Sequence, residues 1–245
     1  MIGDPNCPLC KGTGYIIEVD ENGVSYAKRC SCVIEQTKKN YLKLSGIPER
    51  YMSCEFENYN PTNDSQKEAL IISKKFVEHY PSVSGGLFFQ GPSGVGKTHL
   101  SVAIIKNLIK EKGVRARFYD VRDLISSIQA TIGIDNEKGI KIFTEAYQVD
   151  ILVLDDLGAH RISSYTEDII SKIINKRYNE NKITIFTSNY VDQKDFYEDA
   201  AELREETLES RIGYRLRSRI FEMAKLVRID GEDFRKKYLK NIIQV

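Results

Sequence analysis

The sequence carries almost no net charge. Lys plus Arg number 36 and Asp plus Glu 35, which leaves +1 with the histidines neutral. Bulk electrostatics therefore select neither nucleic acid nor an anionic surface, and a nucleic-acid contact has to come from a local basic patch. No apolar run is long enough to cross a bilayer. The opening residues, MIGDPNCPLC, lack the charged-then-apolar pattern of a secretory signal. Cysteine is nearly absent from the body of the chain: four of the five lie within the first 32 residues, and only Cys54 stands beyond them. These absences lead to the expectation of a cytoplasmic protein with no membrane partner, in which thiols stay reduced. What is present is ordinary for a globular chain. Hydrophobic residues make up 41%, and 245 residues suffice for one large α/β domain with a small appendage.

The four early cysteines fall in two close pairs, Cys7 with Cys10 and Cys30 with Cys32. In a reducing compartment, four thiolates at such spacing suit a closed tetrahedral zinc site better than disulfides. The residues between the pairs support a return of the chain. YIIEVD and VSYAKR flank ENG, and Asn22-Gly23 is a hairpin-turn signal. The competing reading is four free thiols in a small core, or one oxidised pair. The Cys-x-x-Cys-x-Gly-x-Gly run from Cys7 to Gly14 resembles one unit of a DnaJ-type zinc module. Residues 33–45 read as a mixed-charge helix, and 46–62 as an irregular linker punctuated by Pro48 and Pro61.

GGLFFQGPSGVGKTHL is the most informative run. A short apolar strand, Leu87 to Gln90, leads into Gly91, Pro92, Ser93, Gly94, Val95, Gly96, Lys97 and Thr98, followed by His99. The eight residues 91–98 fit Gly-x-x-x-x-Gly-Lys-Ser/Thr, and the apolar periodicity of Leu100, Ala103, Ile104 and Leu108 predicts a helix behind them. The glycines let backbone N–H groups close on phosphate oxygens at a helix N-terminus, where anions are favoured. Lys97 suits the β- and γ-phosphates, and Thr98 suits Mg²⁺. VDILVLDDLG adds a continuously apolar strand ending in two carboxylates. Asp155 there suits the Mg²⁺ shell, and Asp156 suits the attacking water. KITIFTSNY reads as a third strand ending at Asn189, which is placed either to hold that water or the γ-phosphate, or simply as a turn residue.

The phosphate loop, LVLDDLG, the strand-end TSN and a C-terminal SRI together resemble an AAA+ ATPase. Within that class they are similar to the DnaC/DnaI-type helicase loaders and the related IstB-type transposition helpers, over roughly residues 46–240, GIPERYMSCEFENY included. The cysteine-rich start is closer to the DnaI side. The resemblance implies an α/β AAA+ P-loop NTPase fold with a parallel sheet, plus a small zinc-ribbon-like N-terminal module. It implies residues 1–45 as a partner-docking zinc module, 46–62 as linker and 63–245 as the ATPase domain. It assigns Asn189 as sensor 1, Arg235 in GEDFRKKY as sensor 2, and Arg219 in LRSRI as an arginine finger acting on the ATP of an adjacent subunit.

That last assignment bears on RIGYRLRSRI, where Arg211, Arg215 and Arg219 would stack on one face of an unbroken helix. The competing reading is a solvated basic helix with Glu206 and Glu209 as counterions, and Gly213 is a residue able to break the helix and with it the row. The family also carries an inserted helix facing single-stranded DNA between Asp120 and Asp150. By position Lys138, Lys141, Ser163, Ser164 and Tyr165 are the candidate contacts. The alternative there is a plain amphipathic helix with solvated lysines. The implied cofactors are ATP, Mg²⁺ and Zn²⁺. The implied partners are a hexameric DnaB-type replicative helicase, single-stranded DNA and further copies of the chain. The alternatives are a transposition helper, and a zinc-tethered adaptor whose ATP site switches without turnover.

Overall fold

The structure is a computed structural model, and it describes residues 3–131, 136–159, 164–192 and 207–236. Ser163 lies outside these ranges, as do the side chains of Ser164 and Tyr165.

The chain begins with a two-stranded antiparallel hairpin, β1 (Tyr15–Val19) and β2 (Ser25–Arg29), followed by α1 (Ser31–Leu44). The hairpin turns where Asn22-Gly23 predicted, but by a different device. Gly23 N–H bonds the Asp20 carbonyl, only Gly23 takes positive φ (79°), and the Asp20 carboxylate accepts from the Asn22 and Val24 amides. This is a type I turn closed by a left-handed glycine, rather than the two-residue turn that needs Asn22 at positive φ as well.

The remaining strands are β3 (Gly86–Gln90), β4 (Ala116–Asp120), β5 (Ile151–Asp155), β6 (Ile183–Ser188) and β7 (Ala224–Arg228). They form one parallel sheet in the order β4-β5-β6-β3-β7. The helices are α2 (Asp64–His79), α3 (Lys97–Lys112), α4 (Val121–Gln129), α5 (Asn136–Gln148), α6 (Ser164–Asn179), α7 (Leu208–Ile212) and α8 (Tyr214–Met223). Alternation along the strands splits the core into two layers. Leu87, Phe89, Ile151, Val153 and Ile185 face α2 and α3. Phe88, Leu152, Leu154 and Phe186 face α4, α6 and α8. Phe88, Phe89 and Phe186 are fully buried, and each such side chain contributes about 1.5–3 kcal/mol. Because both faces are covered, β5 is apolar and buried from Ile151 to Leu154, as the ILVL run predicts.

Two segments ahead of the sheet pack on its core. The segment 46–62 is irregular and lies against the main domain. Cys54, Phe56 and Tyr59 are buried in the main core, with Ile47 and Tyr51 packed against it. α1 likewise leans on that core through Tyr41 and Leu42, and the Ser45 carbonyl accepts from Phe118 N–H at 2.7 Å along the edge of β4. The cause is the same in both cases: apolar residues without periodicity find partners distant in sequence.

The arginine row does not form. Gly213, at φ 79°, ends α7 and opens α8, so Arg211 sits on a different helix from Arg215 and Arg219. Glycine is the weakest helix former short of proline and is free to take that dihedral.

Candidate functional site

The loop after β3 is shaped by what approaches it. A Cβ at Gly94 would stand 1.8 Å from Asp233 Oδ1, and one at Gly96 would stand 2.5 Å from the Tyr59 ring. Both glycines have positive φ, so the loop closes tightly and feeds directly into α3 with Gly96 as N-cap. It borders a cavity of about 520 Å³. Residues Ser93 to His99 line that cavity together with Asp155, Asp156, Asn189 and Arg235. Gly91 and Pro92 are outside this lining, and their carbonyls accept from Lys97 Nζ at 2.7 and 2.6 Å. Lys97 also donates to Asn189 Oδ1 at 2.7 Å.

Sheet order explains this convergence. β3 and β5 are not neighbours; β6 lies between them and carries Asn189 just past its C-terminal end. Carboxyl ends of parallel strands at a point where strand order reverses are where such folds bind ligands. Thr98 Oγ1 donates to Asp155 Oδ1 at 2.9 Å, and Thr187 Oγ1 donates to the same oxygen at 2.6 Å. Burial pushes the Asp155 carboxyl up to about 6, against the two threonine bonds and helped by Asp156 and Asp120. A hydroxyl and a buried carboxylate in contact are a hard-oxygen donor pair that fits Mg²⁺.

Asp156 takes a left-handed backbone, φ 60°, a strained choice for a non-glycine residue. Its Oδ1 accepts from Asn189 Nδ2 at 2.7 Å, its Oδ2 meets Arg122 NH2 at 3.2 Å, and its N–H donates to Thr187 Oγ1 at 2.9 Å. Thr187 and Arg122 were not anticipated. Thr187 opens the strand-end TSN, a motif in which the sequence points to a role for Asn189 alone. Asp120, capping α4 from 2.8 Å, sets the place of Arg122.

The other expected residues fall as follows. His99 borders the cavity, but its Nε2 bonds the Glu55 carbonyl at 2.8 Å and its ring meets Tyr59 edge-on. Its ring is thereby part of the cavity wall. The Val95 side chain is buried, leaving its backbone to the cavity, and the Val95 carbonyl accepts from Tyr59 OH at 3.2 Å. Arg235 reaches Ser93 Oγ and is held by Asp233 at 3.1 Å. Arg219 does not line the cavity. It bonds Asn175 Oδ1 and lies 5.9 Å over the Tyr178 ring, on the α6–α8 surface. Arg217 is held bidentately by Asp192, and Arg211 lies 4.7 Å over the Tyr190 ring. Lys138 and Lys141 are exposed on α5.

The raised Asp155 pKa makes a test of opposite signs. Its folded value lies above the unfolded one, so the ionised form costs stability at neutral pH, and that cost fades as pH falls from about 6 toward 4. A shift of that size is worth on the order of 2–3 kcal/mol. Asp155→Asn, melted without Mg²⁺ at pH 7.5, should therefore unfold roughly 5 °C higher than wild type. The gain should vanish near pH 4, while Mg²⁺-dependent hydrolysis is lost. An unchanged or lower melting temperature at pH 7.5 would remove the argument for a desolvated carboxylate.

A second cluster lies at the N-terminal end of α1. Cys30 caps the helix and Cys32 is its second residue. Cys7 Sγ is 3.6 Å from Cys30 Sγ, Cys10 Sγ is 3.5 Å from Cys32 Sγ, and all four sulfurs lie within 4.8 Å of one another. Zinc–thiolate bonds of about 2.3 Å in a tetrahedron place sulfurs about 3.8 Å apart, so the four fit that ion. Burial disfavours the Cys10 thiolate, but the Gly14 and Gly12 amides and the Cys32 and Cys30 thiols prevail and bring it to about 7. Cys54, buried in the main core and bordering the cavity, is not part of the cluster.

Residues 19–241 match the family described as IstB-like ATP binding protein. The replicative helicase loader DnaC of Buchnera aphidicola subsp. Baizongia pistaciae is 34% identical over 146 residues, 59% of each chain. The chain thus spans about three-fifths of the length of the curated relatives it matches. A crystal structure of the DnaC helicase loader superposes with TM-score 0.62 at 38% identity, covering 74% of this chain and 99% of that one. A crystal structure of DnaI gives 0.63 at 25% identity, covering 79% and 98%. Parallel sheet, phosphate loop and these neighbours make the fold that of an AAA+ P-loop NTPase. Because the matched span contains the whole sheet and its cavity, the chain belongs to the IstB-like ATP-binding proteins.

Proposed function

We propose that the chain is an ATP-dependent loader of a hexameric replicative helicase. The observation that carries the reading is the meeting of Lys97, Thr98, Asp155, Asp156 and Asn189 at one cavity. Residues 91–98 bind the triphosphate through loop amides and Lys97. Thr98 and Asp155 hold Mg²⁺, which when bound neutralises charge on the β- and γ-phosphates. Asn189 and Asp156 orient water at the γ-phosphate, and Arg235 contacts nucleotide from the same subunit. Lys138 and Lys141 on α5, with Ser163, Ser164 and Tyr165, meet single-stranded DNA. The cysteine module, folded around zinc, docks the helicase, and the ATPase domain does the work of assembly.

Arg219 acts on the nucleotide of the adjacent copy. Its place outside its own cavity, on a partly exposed helix face, supports this division. Hydrolysis by the isolated chain is then slow and rises on assembly, since a finger supplied in trans is worth about 10³-fold or more in turnover in other nucleotide hydrolases. The test mixes Arg219→Ala with Lys97→Ala chains in the presence of single-stranded DNA. One mixed interface keeps both a working loop and a working finger, so ATPase activity should exceed the sum of the two variants. No gain over that sum in coassembled chains would sink the shared site. A transposition helper is the second reading, favoured by the family description itself. It shares the site chemistry and differs in partner: copurification with a transposase rather than a helicase would select it.

A further inference from the structure

One wall of the cavity comes from a segment with little secondary structure. Arg50, Tyr51, Cys54, Asn58, Tyr59 and Asn60 line it, and apart from the single 3₁₀ turn Glu49–Tyr51 the strap has no regular hydrogen-bond pattern. What fixes it is α3. Lys106, nine residues beyond Lys97 on that helix, is only 3% exposed. Its ammonium pairs with the Glu55 carboxylate at 2.7 Å, donates to the Cys54 carbonyl at 3.0 Å and donates to the Met52 carbonyl. Lys110, one turn further on, reaches the same carboxylate at 2.8 Å. Burial opposes ionisation of Glu55, but the two ammonium groups hold it below the usual carboxylate range. His99 adds a bond to the Glu55 carbonyl, and Tyr59 bonds Val95 beside Gly96. A buried ammonium is costly to desolvate and is kept only with several good partners. Here all three named partners belong to the strap, and the phosphate loop makes no use of it.

We infer that Lys106 is a positioning residue for the nucleoside part of the nucleotide. It holds residues 52–55 in place, and with them Tyr51, Cys54 and Asn58 to Asn60 of the cavity wall on which base and ribose rest, while residues 91–98 take the phosphates. The inference rests on the reading of this cavity as a nucleotide site, and it divides that site into two ends with separate supports. Removing Lys106 loosens one end and leaves the other intact.

The experiment titrates the full chain with Mg²⁺-ATP and, separately, with inorganic tripolyphosphate, which has no nucleoside. Lys106→Met keeps the length and apolar stem of the side chain and deletes the charge. It should weaken ATP about ten-fold and leave tripolyphosphate within about two-fold of wild type. Glu55→Gln, at a part-exposed position, should weaken ATP about three-fold, since Lys106 keeps its two carbonyl acceptors. If Lys106→Met fails to fold by circular dichroism, Glu55→Gln carries the same comparison. Unchanged ATP affinity in the folded variants would overturn the inference. So would parallel loss of both ligands, which marks general damage to α3. If wild type binds neither ligand, the failure lies in the nucleotide reading of the cavity, and the inference falls with it.

Discussion

Lys97→Ala should lower ATP affinity by about 100-fold or more, with little change in folding. Lys97 is 6% exposed, and its ammonium donates to the Gly91 and Pro92 carbonyls and the Asn189 amide oxygen, which are neutral acceptors. A phosphate oxygen is a stronger acceptor than any of these and would draw the ammonium onto itself. Charge-assisted bonds contribute about 1.5–3 kcal/mol each, against about 1 for a neutral amide donor. Two phosphate contacts through Lys97 therefore outweigh several loop N–H groups, although the amides and the α3 terminus stay in place in the variant. Folding is spared because alanine is the best helix former and the position opens α3. Titration with a fluorescent ATP analogue checks the affinity, and melting without nucleotide checks the fold. Wild-type affinity in a folded variant would mean that the 91–98 loop is not the phosphate site.

What the sequence made legible was whatever is local. The phosphate loop and its helix, the ILVL strand with its two carboxylates, and the strand-end asparagine all rest on adjacent residues. They converge because a parallel sheet puts every strand's carboxyl end on one edge. The order of strands along that edge, which puts β6 between β3 and β5, was not readable from any one segment. Nor was the strap. The His99–Glu55 contact joins residues 44 apart and the Lys106–Cys54 contact joins residues 52 apart, and neither leaves a period in the chain. Thr187 is hidden for another reason: a threonine in a strand is ordinary β-branched filling until its hydroxyl is seen on Asp155. The arginine row shows a local signal read the other way. Spacing by four residues implies a shared helix face only if the helix is continuous, and Gly213 had the dihedral freedom to end it.

Stripping zinc, or replacing Cys30 with serine, should unfold the hairpin module while leaving nucleotide binding nearly intact. The module has almost nothing else to hold it. Its buried cluster among the described residues is Cys7, Cys10 and Cys30, with Ile16 and Cys32 packed alongside, and β2 is exposed at every position. Ile17 and Val19 point outward at 78% and 62% exposure. A lone two-stranded hairpin is marginal in water, whereas a structural zinc site supplies an apparent 10–16 kcal/mol. The metal term therefore decides whether residues 3–30 have a structure. The ATPase body has its own support: α1 packs on α3 and β4, and both core layers lie beyond residue 40. The expected results are about one zinc per chain in wild type, and on chelation loss of hairpin amide protection from hydrogen exchange. ATP affinity should stay within about three-fold of wild type. Helicase capture should disappear in the same sample, because the exposed apolar strand face would lose its shape. Retained hairpin protection after complete metal removal would show that the four cysteines are core residues rather than ligands. Retained capture after unfolding would move the docking surface onto the ATPase body.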